Sequence, residues 1–504
     1  MLSTINPANL VLSSEQWTGL MPYIILLAGS IVALLLGTIS FPFSKNSKAP
    51  VFLFSCSVLL AVIYWTVSHW MKIPTQVFNG VMTIDYFSSF FNVLLASASL
   101  LVMFGSYRYL DKDQIHYSEF YPIILIATLG MMLLAATVEL LSIFVSLELM
   151  SLAVYVLVGM RRRDRLSNEA SVKYFVMGGV AAALYLYGVA FIYGALNTTK
   201  IADIAVELTT NGTMLLSNPI LLVGLVLVLV GFLFKIAAAP FHMWAPDVYE
   251  GAPALITGYM ATALKAAVFA SFIRISVAFF GDRGVYHLGS MQAMMHEILW
   301  WAALGTMVIG NTVALMQNNI KRMLAYSAIA HTGYLLLGIL AGPSVGYSSI
   351  MLYLVMYVVM NLGAFGLLGI FSGSNDSALT YDKVAGMAHK HPYSAAAFSI
   401  FLLSLAGLPP TAGFIGKYFL FSAALEAGEV FLVLLAVITS VISVFYYFKL
   451  VVQMYMKETT SETQYHKQAS KIAYFAVVIC VFLTINFGLF PGQIVEAVKK
   501  AAAF

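Results

Sequence analysis

Runs of about twenty apolar residues, separated by short polar or glycine- and proline-bearing connections, recur along the whole chain. A hydrocarbon core about 30 Å thick takes about 20 apolar residues per spanning helix, so each run reads as one crossing. Fourteen are expected, centred near residues 29, 60, 96, 129, 149, 182, 229, 267, 307, 331, 359, 410, 443 and 480. Two are interrupted. The seventh holds Pro240 and Pro246, and the twelfth holds Gly407, Pro409, Pro410, Gly413 and Gly416. Proline removes a donor and crowds the preceding turn, so both helices are expected to be discontinuous near mid-membrane. Backbone groups freed at that depth persist only where they face protein or water.

Composition agrees with the pattern. Of 504 residues, 61% are hydrophobic and 10% charged, against about 25% charged in a soluble domain. The fold class expected is an all-α integral membrane protein. No Pro/Ser-rich linker or low-complexity segment divides the chain, so residues 1–504 read as a single polytopic domain. Cys56 and Cys480 lie far apart, each inside an apolar run, which suggests neither a disulfide framework nor a cysteine metal site. Glu15 and the lack of a basic residue before the first apolar run argue against a cleavable signal peptide.

An internal echo accompanies the two broken helices. Tyr155 and Tyr334 are 179 residues apart, as are Tyr174-Phe-Val-Met and Tyr353-Leu-Val-Met. That offset lays the fourth to eighth helices (residues 121–280) on the ninth to thirteenth (298–456). Five helices is an odd number, so the copies would cross in opposite senses. Such inverted repeats, with broken helices at matching positions, point to an ion path.

Basic residues set the expected orientation. With the N-terminus outside, inner loops hold 15 lysines and arginines, among them the run RRRDR at 161–165, and the outer side holds six: Lys72, Lys200, Arg274, Arg283, Lys499 and Lys500. Both termini are then outside, and the basic run is a cytoplasmic anchor between two apolar spans, not a nucleic-acid patch. Subtracting 15 and 6 from 26 leaves five at membrane depth: Lys173, Lys235, Lys265, Lys417 and Lys449. A charge at the bilayer centre costs about 2.5 to 3.5 kcal/mol on the insertion scale, so these residues snorkel, pair or line a hydrated path. Lys449 is expected to snorkel; Lys173, beside the basic loop, fits either reading. Lys235, Lys265 and Lys417 lie deep in their runs and are expected to carry function. Glu148, the one acid well inside a span, is either the partner of such a lysine in proton transfer or half of a static ion pair. His331, mid-span, is either a packing residue or a proton carrier. A buried lysine suits proton transfer because burial and a neighbouring carboxylate move its protonation in opposite directions; arginine does not deprotonate.

Three stretches are specific enough to resemble a family. FKIAAAPFHMWAPDVYEGAP at 234–253, NNIKRMLAYSAIAHTGYLLLGI at 318–339 and LSLAGLPPTAGFIGKYFLF at 403–421 resemble the proton-translocating, antiporter-like subunits of respiratory complex I, the NADH-quinone oxidoreductase, with the likeness covering residues 80–457. The resemblance implies fourteen helices in two inverted five-helix repeats with discontinuous seventh and twelfth helices. It implies that Glu148 and Lys235 form the coupled pair of a first half-channel, that Lys265 is the central relay and Lys417 the terminal protonatable group. It further implies that Lys173 joins the inner entry path and that His331 lies on a polar axis. No cofactor is expected in this chain. NADH, FMN, iron-sulfur clusters and quinone are implied in partner subunits, and the implied membrane partners are subunits K and M and the lateral helix of subunit L. The chain ends at Phe504 without a lateral helix of its own, and Lys417 stands where subunit M has glutamate, which separates it from subunits L and M. The resemblance places it in the bacterial inner membrane. The stretch 254–257 is more apolar than the usual pattern, and residues 1–18 and 458–470 match nothing in it.

The function expected is a subunit that moves protons across the membrane, driven by quinone reduction elsewhere in the complex and performing no redox chemistry alone. No glycine-rich nucleotide motif between strand and helix and no cysteine cluster opposes that. One alternative is a cation/proton antiporter subunit of the multi-subunit sodium/proton type, which would need further oxygen ligands at membrane depth. Another is a solute transporter with an organic ion held between the repeats.

Overall fold

The computed structural model describes residues 12–38, 48–70, 75–112, 117–215, 218–280, 291–343, 345–372, 379–459 and 470–502. Lys45, Lys72, Arg283 and Lys467, used in the orientation count, lie outside them. The apolar runs fold as helices because a backbone in lipid must satisfy its hydrogen bonds within the segment. The first are α1 (Ser14–Thr38), α2 (Lys48–Ser68) and α3 (Tyr86–Lys112), with a small antiparallel hairpin, β1 (Thr75–Val77) and β2 (Met82–Ile84), between α2 and α3. Next come α4 (Phe120–Ala136), α5 (Leu140–Val158), α6 (Arg165–Leu196), α7 (Ile201–Leu215), α8 (Pro219–Lys235) and α9 (Trp244–Gly251). A π-turn at Met260–Leu264 joins α10 (Ala254–Tyr259) to α11 (Lys265–Phe280). The remainder are α12 (Met291–Leu315), α13 (Ile320–Ala341), α14 (Gly346–Phe371), α15 (Met387–Lys390), α16 (Pro392–Ala406), α17 (Ala412–Glu426), α18 (Val430–Met456), α19 (Lys471–Leu489) and α20 (Gly492–Ala502).

Among the described residues, eleven helices are long and apolar enough to cross a membrane, and three further apolar helices, α4, α8 and α16, are shorter. Thirteen of the expected centres fall in these; the fourteenth, 410, falls in the gap between α16 and α17. The short α7 and α20 follow spans rather than forming them and were not anticipated.

Burial sorts the helices. The α10–α11 unit, α13 and α14 are buried almost along their whole lengths, whereas α18 and α19 present most of their surface outward. A helix apolar on all faces belongs in a protein interior or in lipid, and packing decides which. Glycine permits the closest crossings: a Cβ at Gly130 would sit 2.6 Å from the Met150 nitrogen and one at Gly310 would sit 2.5 Å from the Ala330 nitrogen.

Both expected breaks exist, built alike. At the end of α8, Ala237 takes φ +56°, its N–H donates to the Phe234 carbonyl and the Ala238 N–H donates to Leu233. At the end of α16, Gly407 takes φ +87°, donating to Ser404, and Leu408 donates to Leu403. This is the helix-ending motif in which a left-handed residue lets two N–H groups turn back onto the last carbonyls. The first break starts earlier than its prolines suggest. Lys235 is the last residue of α8, not a mid-helix position, because the left-handed Ala237 turns the chain back onto the last carbonyls before the prolines are reached.

Candidate functional site

Glu148 lies on α5 with its Oε1 3.7 Å from the Lys235 ammonium, which sits at the end of α8. The ammonium donates to Ser151 Oγ at 2.7 Å and lies 5.9 Å from the centre of the Tyr155 ring. Glu148, Ser151 and Tyr155 share one face of α5 through three- and four-residue spacing. Lys235 is nearly inaccessible, while Glu148 keeps about a quarter of its side chain exposed, 23%. Glu148 Oε1 has no hydrogen bond among the described residues. The carboxylate is therefore a loosely held partner.

Lys265 follows the π-turn, an insertion that re-aims the residues after it and is frequent at functional positions. Its ammonium, 3% exposed by residue, donates to the Ala328 carbonyl at 2.6 Å and to Thr332 Oγ1 at 2.7 Å, both on α13. Thr332 Oγ1 reaches the Ile236 carbonyl at 2.9 Å, so one hydroxyl joins Lys265 to the residue beside Lys235. The Lys265 ammonium also lies 5.7 Å from the Tyr357 ring centre.

His331 is fully enclosed. Its Nδ1 is hydrogen-bonded to the Tyr353 hydroxyl and its Nε2 lies 3.2 Å from the Tyr447 hydroxyl, which bonds Ser327. The ring packs against Tyr357 at 5.1 Å and edge-on to Tyr334 at 5.6 Å. Tyr334 in turn lies beneath Lys417, whose ammonium is 5.3 Å from its ring centre. Lys417 stands on α17, after the break, and reaches back to the last carbonyl of α16, Ala406 O, at 2.9 Å, and to Ser440 Oγ on α18 at 2.8 Å. A cation at a helix C-terminus gains from the partial negative charge there. Beside Lys417 lies a cavity of about 350 Å³ lined by Phe414, Tyr418, Val437 and Ser440.

These residues line up in order: Glu148, Lys235, then by way of the backbone carbonyl of its neighbour Ile236, Thr332, Lys265, Tyr357, His331, Tyr334, Lys417. Five of the six expected residues thus form one row through the core. Lys173 does not join it. It is 42% exposed and paired with Glu169 at 2.8 Å and Asp247 at 3.0 Å; Arg322 binds Asp247 and Glu250 in the same cluster. Lys449, two turns before the end of α18, is exposed and rests over Tyr381, 4.4 Å from its ring centre.

Sequence reasoning missed the hydroxyls. Ser151, Thr332, Tyr353, Tyr357, Tyr447 and Ser440 are common residue types in apolar helices; only the helical spacing from Glu148 marked Ser151, and adjacency to His331 marked Thr332. It also missed the partners of two cations. Arg274, counted among outer-side residues, is buried, and its Nη2 donates to both Asp85 carboxylate oxygens at 2.9 and 3.0 Å. Arg161 of the basic run is buried and donates to Tyr109 Oη at 2.6 Å, so part of that run clamps helices rather than facing water. Among the described residues no three His, Cys, Asp or Glu side chains converge as a metal site would require.

Residues 136–443 match the family model described as NADH:quinone oxidoreductase/Mrp antiporter, TM. The chain is similar to NADH-quinone oxidoreductase subunit N of Trichlorobacter lovleyi, 41% identical over 424 residues, covering 84% of this chain and 85% of that protein. It is also similar to subunit N 2 of Rhizobium meliloti, 37% identical over 490 residues, covering 97% and 98%. Its fold matches a chain of respiratory complex I from Thermus thermophilus with bound aureothin, with a TM-score of 0.79, 33% identity and coverage of 96% of this chain and 100% of that one. A chain of the Mrp complex from Dietzia shares the fold at a TM-score of 0.82 and 20% identity, covering 97% of each.

Proposed function

The chain belongs to the NADH:quinone oxidoreductase/Mrp antiporter transmembrane family, as a membrane subunit of an NADH-quinone oxidoreductase, and from that premise we propose that its buried row is a proton path. The subunit translocates protons across the bacterial inner membrane, coupled to quinone reduction in other subunits, and performs no redox step itself. NADH, FMN, iron-sulfur clusters and quinone belong to those other subunits. Subunits K and M and the lateral helix of subunit L are its neighbours, and both termini lie outside.

The observation that carries the reading is the shared setting of three buried lysines. Each ammonium is held by hydroxyl or carbonyl oxygens and lies over a tyrosine ring, and the three are joined through Thr332 and His331. Glu148 and Lys235 are the coupled pair, Lys265 the relay, His331 the bridge and Lys417 the terminal group. Lys173, on the exposed cluster with Asp247, serves the inner entry. Tyr174 links that cluster to the row, stacked on Trp244 at 4.7 Å and edge-on to Tyr155 at 4.7 Å.

The inverted repeat, 121–280 on 298–456, draws support from the same residues. Tyr155 and Tyr334, paired by the sequence echo, each underlie the lysine of their own half. The helix-ending motif recurs at Ala237 and Gly407.

Energetically the path is feasible. Moving one charge against 100 mV costs about 2.3 kcal/mol, and one hydrogen bond to a charged group contributes about 1.5 to 3 kcal/mol. Making or breaking one or two ammonium contacts is of the size of one such step. The antiporter alternative would require a hard-cation site, and carboxylate and carbonyl oxygens are what such ions select; along the row only Glu148 is acidic, and the carbonyls at Ala328 and Ala406 already accept from ammonium groups. Proton pumping measured with quinone reduction in membranes bearing Lys235→Ala, complex assembly verified, tests the reading. Reduced pumping in an assembled complex is expected; unchanged pumping and reduction would make Lys235 structural and overturn it.

A further inference from the structure

A second cavity lies away from the row, where α1 begins, α2 ends and α3 begins. It measures about 290 Å³ and is lined by Glu15, Thr18, Trp65, His69, Asp85 and Asn92, among others. Three apolar helices ending together mark the surface of the membrane, and Trp17, 52% exposed, and Trp70 stand at the same level, as tryptophan does at membrane interfaces.

The lining is rich in acceptors. Asn92 is 2% exposed; its Nδ2 donates to the Tyr23 hydroxyl at 3.1 Å, while its Oδ1 has no partner among the described residues. Leaving a buried acceptor unmade costs about 1 to 3 kcal/mol, so a donor is missing from the site. Thr66 uses its hydroxyl hydrogen on the Val62 carbonyl at 2.8 Å and therefore faces the cavity as an acceptor. Arg274 balances the charge of Asp85. Glu15, exposed in the first turn of α1, makes no ion pair among the described residues and is the lining carboxylate left without a cation there. Trp65 is fixed by its Nε1–H on the Thr18 carbonyl at 3.0 Å and stacks on His69 at 4.5 Å, which places aromatic surface, attractive to a cation, on the cavity wall.

We propose that this cavity binds the primary ammonium of an aminophospholipid headgroup. A metal ion is disfavoured because no three ligating side chains converge there among the described residues. Water supplies hydrogens to Asn92 Oδ1 but adds no attraction between opposite charges at Glu15. A quaternary ammonium has no N–H for Asn92 Oδ1. The volume is about ten times the share of one liquid water, about 30 Å³. It accommodates an ethanolamine group and leaves glycerol and acyl chains in the surrounding bilayer.

The test is photolabelling of the intact complex in nanodiscs. The probe is a phosphatidylethanolamine with a diazirine near the top of one acyl chain, compared with the phosphatidylcholine analogue of the same chains. Labelled peptides within residues 12–22 and 65–92 are expected, favouring the ethanolamine lipid about tenfold, the size of one charged hydrogen bond. Glu15→Gln, a surface change, should bring the labelling down toward the choline level. Asn92→Leu, with assembly checked, should do the same. Equal labelling by both lipids overturns the assignment, as does ethanolamine-lipid labelling that neither variant reduces. Labelling by a soluble spermidine photoprobe, with none from the lipid, also overturns it in favour of a free amine.

Discussion

Thr332→Val isolates the link between the two buried lysines nearest the first break. Thr332 Oγ1 accepts from Lys265 at 2.7 Å and lies 2.9 Å from the Ile236 carbonyl. Valine keeps the volume and removes both contacts. Lys265 then retains the Ala328 carbonyl as its one remaining acceptor among the described residues. The loss of one hydrogen bond to a charged group is about 1.5 to 3 kcal/mol, and about 1.4 kcal/mol is tenfold in an equilibrium, so the protonated relay becomes about 10- to 100-fold less favourable. The assay is NADH-driven acidification of proteoliposomes by the assembled complex, with reduction of a short-chain quinone followed on the same sample. Pumping should fall about tenfold or more. Thr332→Ser, which restores the hydroxyl, should pump near the parent rate. If Thr332→Val pumps as the parent does, with assembly intact, the hydroxyl is not on the path and the row is broken at its centre.

Two further changes probe the frame around the row. Gly407→Ala places a Cβ on a residue at φ +87°, 2.8 Å from Lys417 Cδ; a left-handed alanine costs about 1 to 2 kcal/mol, so both the thermal midpoint of the complex and pumping should drop, and an unchanged midpoint would show that the break relaxes freely. Glu139 caps α5, accepting from the Leu141 N–H at 3.1 Å and the Ser142 N–H at 2.7 Å. Burial alone would raise its carboxyl, but hydrogen bonds from Ser142, Thr199 and Leu141 hold it below the ordinary carboxylate range. Its stabilisation is therefore present above the unfolded value and lost as pH falls through the lower folded one. Glu139→Ala should cost about 0.5 to 2 kcal/mol at neutral pH, and its denaturation midpoint should converge on that of the parent in acid; a constant gap down to acid pH would contradict the cap.

The sequence by itself determined the placing of the apolar runs, the two breaks and the lysines stranded in or beside them, because lipid admits few charges and proline cannot continue a hydrogen-bond ladder. It also held Tyr155 and Tyr334 as an echo without saying what they underlie. Only the tertiary structure decided which oxygens hold each ammonium. When every face of a helix is apolar, periodicity does not tell the face that meets protein from the face that meets lipid, so Ser151, Thr332 and Ser440 looked like any other small polar residues. The same blindness hid Arg274 on Asp85 and set Lys173 outside the row, since each is fixed by helices distant in the chain. The end of α8 at Lys235 follows from the same cause: local sequence named the prolines, while the point at which the helix gives way was set by Ala237 turning its carbonyl partners back into a packed core.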